Sequence, residues 1–360
     1  MNVRLWRGGL SSAQKLILAA LGVCVLFVLA DVPVLAEYLF ARGITRALSG
    51  ALSLVSALFP FSLYELIAVG LIVCFAALAA FAVLYAAGRR TDALRRLFVR
   101  VCAVLLGVLA AFAVLYAPLY ARSSAAEALG LDVTEATQEQ VDAAASSCVE
   151  ALNALSARIE RDGNGDVLCP YTFSELNALI EGEFSSCGGY FSPYRVRAKA
   201  VALSVPMSYL GITGIYFPFV AEANVNVNIP ACDLPVTMAH EMSHAKGVGR
   251  EDEANIVAYA LCLNADDDYL NYCALLDAAT VLLNSLPRER AEELYARLDE
   301  EVRQEYSRAA AHYAAYEGPI DALSSFFNDL FLKANGVASG TRSYGETVNA
   351  LVALIGARGE

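Results

Sequence analysis

The sequence predicts an α-helical membrane anchor of three spans, residues 1–122, followed by a mostly α, α+β domain with a small sheet, residues 123–360. Three observations predict this division. The 360-residue chain is 57% hydrophobic and only 18% charged, against roughly 45–50% and 25% for soluble domains. Its long apolar runs are confined to the first third. The charge changes sign at the same place: residues 1–122 carry 11 Lys/Arg against 4 Asp/Glu, and residues 123–360 carry 15 against 34. Such a composition excludes a disordered chain, a fibrous repeat and an ordinary cytosolic enzyme. The net charge of −12 excludes nucleic acid as a partner, because phosphates demand a basic face.

The first apolar run extends from about residue 16 to 35, broken only by Asp31 and Pro33; the second covers about 66–87 and the third about 101–119. Each approaches the roughly 20 residues that cross a bilayer as a helix. A cleaved signal peptide is the competing reading of the first run, since Arg4, Arg7 and Lys15 precede it. The run is long for that, and two further spans follow. Orientation comes from the bias of basic residues toward the cytoplasm. Arg4, Arg7 and Lys15 flank the first span, and Arg89, Arg90, Arg95, Arg96 and Arg100 crowd the loop between the second and third. The loop between the first and second carries only Arg42 and Arg46, with Glu37 beside them. The N-terminus is therefore expected inside and the acidic domain outside.

The cysteines divide in the same way. Cys24, Cys74 and Cys102 fall in the spans; Cys148, Cys169, Cys187, Cys232, Cys262 and Cys273 fall in the outer domain. An exported domain permits disulfides, with core thiols an equal alternative, and spacing alone defines no connectivity. The lack of any CxxC pair argues against a cysteine zinc site. Helical periodicity marks about 134–161, 173–183, 236–247, 250–264, 270–285, 288–316 and 320–335. Two stretches alternate as strands: 195–204, and 224–229, where Val225, Val227 and Ile229 face one way and three asparagines the other. The second strand is a candidate for pairing with an extended peptide, or else an ordinary sheet strand. Asp162-Gly-Asn-Gly-Asp166 resembles the start of a calcium loop, but Val167 and Phe173 occupy the positions where that loop needs Gly and Glu. A polar turn is expected there.

The chain holds three histidines, His240, His244 and His312, and two of them lie in His240-Glu-Met-Ser-His244. Four helical residues advance about 400°, so both imidazoles project from one face within reach of one ion. Glu241 is placed to reach a water on that ion. A third ligand is needed. The longer HExxHxxGxxH pattern is excluded, because its last position holds Arg250, which has no lone pair to donate. Gly247-Val-Gly249 is expected to end the first helix and let a second fold back beside it. On that second helix Glu251 and Asn255 share a face, which favours Glu251 as ligand with a polar partner one turn on. Glu253 is the alternative, rotated about 200° from Glu251, and Asp252 stands behind both. Two histidines and a carboxylate leave an open coordination position, the composition of a hydrolytic zinc site. Zinc would acidify a bound water and Glu241 would act as general base. Tyr344, Tyr216, Tyr209 and His312 are the candidate donors to the oxyanion.

Beyond this chemistry, the chain resembles the bacterial membrane family called domain of unknown function 3810, regarded as integral membrane zinc metallopeptidases. Glu37-Tyr-Leu-Phe-Ala-Arg-Gly43 and Leu58-Phe-Pro-Phe-Ser-Leu63 resemble its first external loop. Glu222-Ala-Asn-Val-Asn226, His240-Glu-Met-Ser-His244 and Arg250-Glu-Asp-Glu-Ala-Asn255 resemble its catalytic core, and Asn328–Gly336 with Ser343-Tyr-Gly345 its C-terminal segment. The resemblance implies three spans in the bacterial cytoplasmic membrane and an external zincin-like domain of the glutamate-zincin type. In that pattern a first Glu binds zinc and an Asp follows four residues later, where this chain has Asn255. The resemblance also raises Tyr344 among the donors.

The expected function is thus a membrane-anchored, zinc-dependent metallopeptidase that hydrolyses an extracytoplasmic peptide or protein. His240, His244 and Glu251 would hold one Zn2+ ion, with Glu241 and Tyr344 catalytic. The alternative from another class is a catalytically inactive binding or sensor protein that keeps the zincin fold. An intramembrane protease is disfavoured, because polar sequence flanks the HExxH helix. The partners expected are the lipid bilayer and a peptide substrate. Neither the substrate's identity nor the oligomeric state is written in the sequence.

Overall fold

The computed structural model describes residues 10–88, 91–319, 324–325 and 341–358, except for the side chains of 341–344 and 358. The first helix, α1 (Ser12–Ala30), starts at a capping box in which Ser11 and Gln14 satisfy each other's backbone N–H groups. It stops at Asp31, five residues short of the end of the apolar run, because Pro33 cannot continue an α-helical ladder. A π-helical segment (Leu35–Ile44) and α2 (Thr45–Ser56) follow. Then come α3 (Leu63–Ala87), capped by Ser62, and α4 (Thr91–Leu115), which a 3-10 turn (Ala117–Ala121) extends. Three helices, Ser12–Ala30, Leu63–Ala87 and Thr91–Ala121, are long and apolar enough to cross a membrane. No residue of α3 is buried, and Leu71, Ile72, Val73 and Phe75 stand exposed. After Glu65 in its first turn α3 carries no charge, and an apolar sheath of this kind matches hydrocarbon.

The remainder is mostly helical. The helices are α5 (Ala125–Ala128), α6 (Gln138–Ser156), α7 (Phe173–Ser186), α8 (Ser204–Ser208), α9 (Leu234–Ala245), α10 (Glu251–Asn264), α11 (Asp268–Asn284), α12 (Arg288–Ala296), α13 (Glu300–Ala314) and α14 (Thr341–Arg358). Capping boxes at Thr137 and Thr172 and the Asp267 cap open α6, α7 and α11. The run expected as one helix over 288–316 is two. The backbone breaks at Asp299, whose N–H turns to the Asn153 side chain. Leu152, Met238, Met242, Leu263, Leu270 and Leu282 fill the centre, where α6, α9, α10 and α11 meet. None of the nine cysteines forms a disulfide, and Cys148, Cys232, Cys262 and Cys273 are buried in the core. The helix expected over 320–335 lies outside the described residues, apart from 324–325.

Three short strands, β1 (Lys199–Val201), β2 (Gly214–Phe217) and β3 (Glu222–Asn226), form one sheet in the order β1-β3-β2. β1 is parallel to β3 and β2 antiparallel. One expectation changes here. β3 is central, with both edges taken, so it cannot accept an added peptide strand. Its two asparagines are buried. Asn226 donates to the Ser208 hydroxyl and the Ile212 carbonyl, and Asn224 to the carbonyls of Ile215 and Glu222.

The sheet is fastened to the start of α3 by a buried ion pair. Glu222 accepts from Lys199 Nζ at 2.8 Å, from Ser56 Oγ at 2.6 Å and from the Tyr64 N–H at 3.0 Å. Lys199 Nζ shares its remaining two protons among the carbonyls of Ser56, Phe59 and Phe61, 2.8–3.0 Å away. The segment between α1 and α3 thus packs against the acidic domain rather than standing apart from it. Arg46 donates to the carbonyls of Gly189 and Tyr190, and Ser53 to that of Arg195.

Glu37 makes a second fastening. Its carboxylate takes Arg122, Arg42 and Ser123, while Arg122 also donates to the Gly247 carbonyl and lies 3.6 Å from the Tyr190 ring centre. Burial opposes ionisation, but the two guanidinium groups outweigh it and hold Glu37 at about 2, below the ordinary 4.5. A carboxyl whose folded pKa is depressed stabilises the fold fully above 4.5, and loses that contribution as pH falls toward 2. The melting-temperature gap between the wild type and Glu37→Gln should therefore narrow as the pH is lowered through about 4.5. A gap independent of pH would show that the Glu37 charge contributes nothing.

Candidate metal centre

The centre is built by two helices and a reversal. Pro235 sits in the first turn of α9, where its missing N–H costs nothing. Gly247 ends the helix with φ +105°, a left-handed conformation that favours glycine. The Gly247 N–H bonds the His244 carbonyl and the Val248 N–H bonds the Ser243 carbonyl, the paired bonds of a Schellman turn. This reversal lays α10 back along α9, as the glycine pattern predicts, and brings Glu251 over the two histidines.

His240, His244 and Glu251 each place one ligand atom within 4.8 Å of the others, the only such group among the described residues. His240 Nε2 lies 3.1 Å and His244 Nε2 3.4 Å from Glu251 Oε2, and the two Nε2 atoms are 3.1 Å apart. The opposite ring nitrogens are engaged elsewhere. His244 Nδ1 is 2.9 Å from the Val248 carbonyl oxygen, an acceptor only, so its proton belongs on Nδ1. His240 Nδ1 faces Asn255 Oδ1 at 2.8 Å. Both Nε2 lone pairs consequently converge on a carboxylate. Only protons or a cation between them can hold three such donors together, and the field reflects this. Despite burial, the imidazoles hold Glu251 well below the ordinary carboxylate range. Against its own burial, His244 is raised by Glu251. The donor set of two imidazoles and a carboxylate suits Zn2+, and the partial exposure of His240 and Glu251 leaves a side open.

Glu241, one residue on from His240, lies under β2 and within the field of His240 and Glu251. A Cβ on Gly214 would lie 2.6 Å from Glu241 Cγ, so only glycine lets the strand come this close. Burial pushes the Glu241 carboxyl up to about 8; the Glu251 charge adds to the rise, while His240 and the Tyr216 backbone N–H oppose it.

The other candidates separate cleanly. Glu253 is buried against Ser124 and Ala125, and Asp252 pairs with Arg250, so neither competes with Glu251. Tyr216 stacks on His244 with ring centres 6.3 Å apart, and its hydroxyl is bonded to Ser49. Tyr209 packs on Tyr316, and His312 bonds the Asn228 carbonyl, in a separate cluster beyond β3. The Tyr344 side chain lies outside the described residues. Asp162–Asp166 is a polar turn, with the N–H groups of Asn164 and Asp166 on Asp162. Two residues were not foreseen. Gly214 carries no local motif. Tyr116, at the end of the third apolar run, places its hydroxyl 3.2 Å from His244 Nδ1 and 3.4 Å from the Gly249 carbonyl; no local spacing links it to the HExxH helix.

These features define a class: a chain with three membrane-length helices that carries a His–His–Glu cluster on a reversed helix pair. The chain belongs to the family described as "Protein of unknown function (DUF3810)", whose model matches residues 40–352. No curated protein and no solved structure matches it.

Asn255 fixes the His240 ring through the nitrogen that faces away from the cluster. Asn255→Ala should weaken added Zn2+ by roughly 10–100-fold in a competitive chelator titration, the usual effect of losing such a support. An unchanged affinity would mean that the ring needs no such anchor.

Proposed function

We propose that the chain is a membrane-anchored, zinc-dependent metallopeptidase acting on an extracytoplasmic peptide or protein. The observation that carries this reading is the convergence of His240 Nε2, His244 Nε2 and the Glu251 carboxylate beside a buried Glu241. Zinc bound by these three residues would supply Lewis acidity, polarising a water and lowering its pKa toward neutrality. Positive charge at the cluster also draws Glu241 back toward its carboxylate form, against the rise caused by burial. Glu241 then takes a proton from the attacking water as its oxygen bonds the scissile carbonyl carbon. It returns that proton to the amine as the C–N bond breaks. Tyr344 is the proposed donor to the developing oxyanion.

The substrate-pairing edge belongs to β2 rather than β3. The Asn226 N–H bonds the Thr213 carbonyl, which sets 213, 215 and 217 as the positions bonded to β3. The backbone groups of Gly214 and Tyr216 therefore face the strand's other edge, toward Glu241. An extended peptide added there would run past the general base with its backbone fixed. The basic flanks at Arg4, Arg7 and Lys15 and at Arg89 to Arg100 place the N-terminus in the cytoplasm and this site outside, in our reading.

With Glu241→Gln, cleavage of a mixed peptide library by purified protein should fall by about 10²–10⁴-fold, the range of a lost general base, with zinc content unchanged. Equal cleavage by the variant would refute the mechanism and favour a binding or sensor role. Reporter fusions at position 93 and after Glu360 should report opposite sides of the membrane. The same side for both would refute the orientation.

A further inference from the structure

Charge is absent from two long stretches of an otherwise charged region. No Asp, Glu, Lys or Arg occurs between Arg46 and Glu65 or between Lys199 and Glu222. Within them Leu58, Phe59, Phe61, Leu203, Val205 and Leu210 are exposed. Isolated exposed apolar residues are ordinary, but named contacts bring the 58–61 segment and Leu203 to one place, and Val205 and Leu210 follow Leu203 in α8 and the turn after it. Leu58, Phe59 and Phe61 directly precede α3, and Lys199 holds the carbonyls of Phe59 and Phe61. From the first turn of α3, Glu65 accepts the N–H groups of Ala202 and Leu203 at 3.0 and 2.7 Å. The Tyr64 ring packs on Phe217 of β2 at 5.2 Å between centres. Leu203 and the end of β2 therefore lie beside the first turn of α3, which carries no charge after Glu65.

We infer that residues 58–61 and 203–210 form a lipid-contacting surface that lays the sheet on the bilayer. The occupant is lipid rather than protein because the surface is continuous with α3, itself unburied along its length. Glu222 and Lys199, the charges that bound the second stretch, are buried in their own pair and bring no charge to this face. Resting on the peptidase reading, the consequence is a substrate class. The β2 edge above Glu241 opens beside the membrane, so the peptide it takes is the membrane-proximal segment of an anchored protein or a peptide partitioned into the interface.

The test uses the full chain in phosphatidylcholine vesicles, with Trp6→Phe removing the single tryptophan and Val205→Trp introducing a reporter. Its emission should shift to shorter wavelength and lose intensity when the lipid carries brominated acyl chains, with little quenching by aqueous acrylamide. Tyr295→Trp, on the charged helix α12, should behave oppositely. Leu210→Trp serves as a second reporter if Val205→Trp does not fold. Quenching by acrylamide and not by brominated lipid would overturn the inference. A short-wavelength emission insensitive to both would also overturn it, in favour of a second copy or a protein partner. Neither metal nor hydrolysis enters the readout, so its failure is distinct from failure of the peptidase reading.

Discussion

A carboxylate as buried as Glu222 must be fully paired, and that requirement organises the molecule. Lys199, Ser56 and the first N–H groups of α3 satisfy it, so strands β1 and β3, the loop before α3 and the helix itself are fixed by one group. Removing one partner of such a pair typically costs about 3–5 kcal/mol, because the other charge is left buried alone. The sheet's position follows from this anchor, and from the sheet follows the approach of Gly214 to Glu241. The membrane-length helix is therefore part of the frame that shapes the site, not a tether to it.

The third apolar helix contributes as directly. Tyr116, just past the end of α4, reaches His244, and Arg122 shortly after it joins Glu37 to the Gly247 carbonyl at the reversal between α9 and α10. The turn that swings Glu251 over the histidines is thus held from below by chain that precedes residue 123. A separated 123–360 fragment would lack the residues that fix both the turn and the imidazole.

What the sequence made legible was local. Helical spacing put His240 and His244 on one face, Gly247 announced the reversal, and the same reasoning placed Glu251 rather than Glu253 toward them. The three apolar runs needed only length and composition. What escaped it was the pairing of distant segments. β2 is four residues long and reads as part of an apolar stretch, so neither its edge position nor its place over Glu241 carries a local pattern. Alternation puts the asparagines of β3 on the face opposite Val225 but does not say what that face meets. In the structure they serve as buried partners for the loop before α3 and for α8. The division at residue 122 follows composition well, yet Glu37, Arg46 and Ser53 cross it through hydrogen bonds that no composition reports.

The central claim is that His240, His244 and Glu251 hold one zinc ion. X-ray absorption at the zinc edge of the purified full-length protein tests it most directly. The account predicts a shell of nitrogen and oxygen at about 2.0–2.2 Å, with imidazole scattering from two histidines. It also predicts loss of that signal in Glu251→Gln while the protein stays folded. Sulfur scatterers at about 2.3 Å, or a wild-type protein that takes up no zinc, would contradict it.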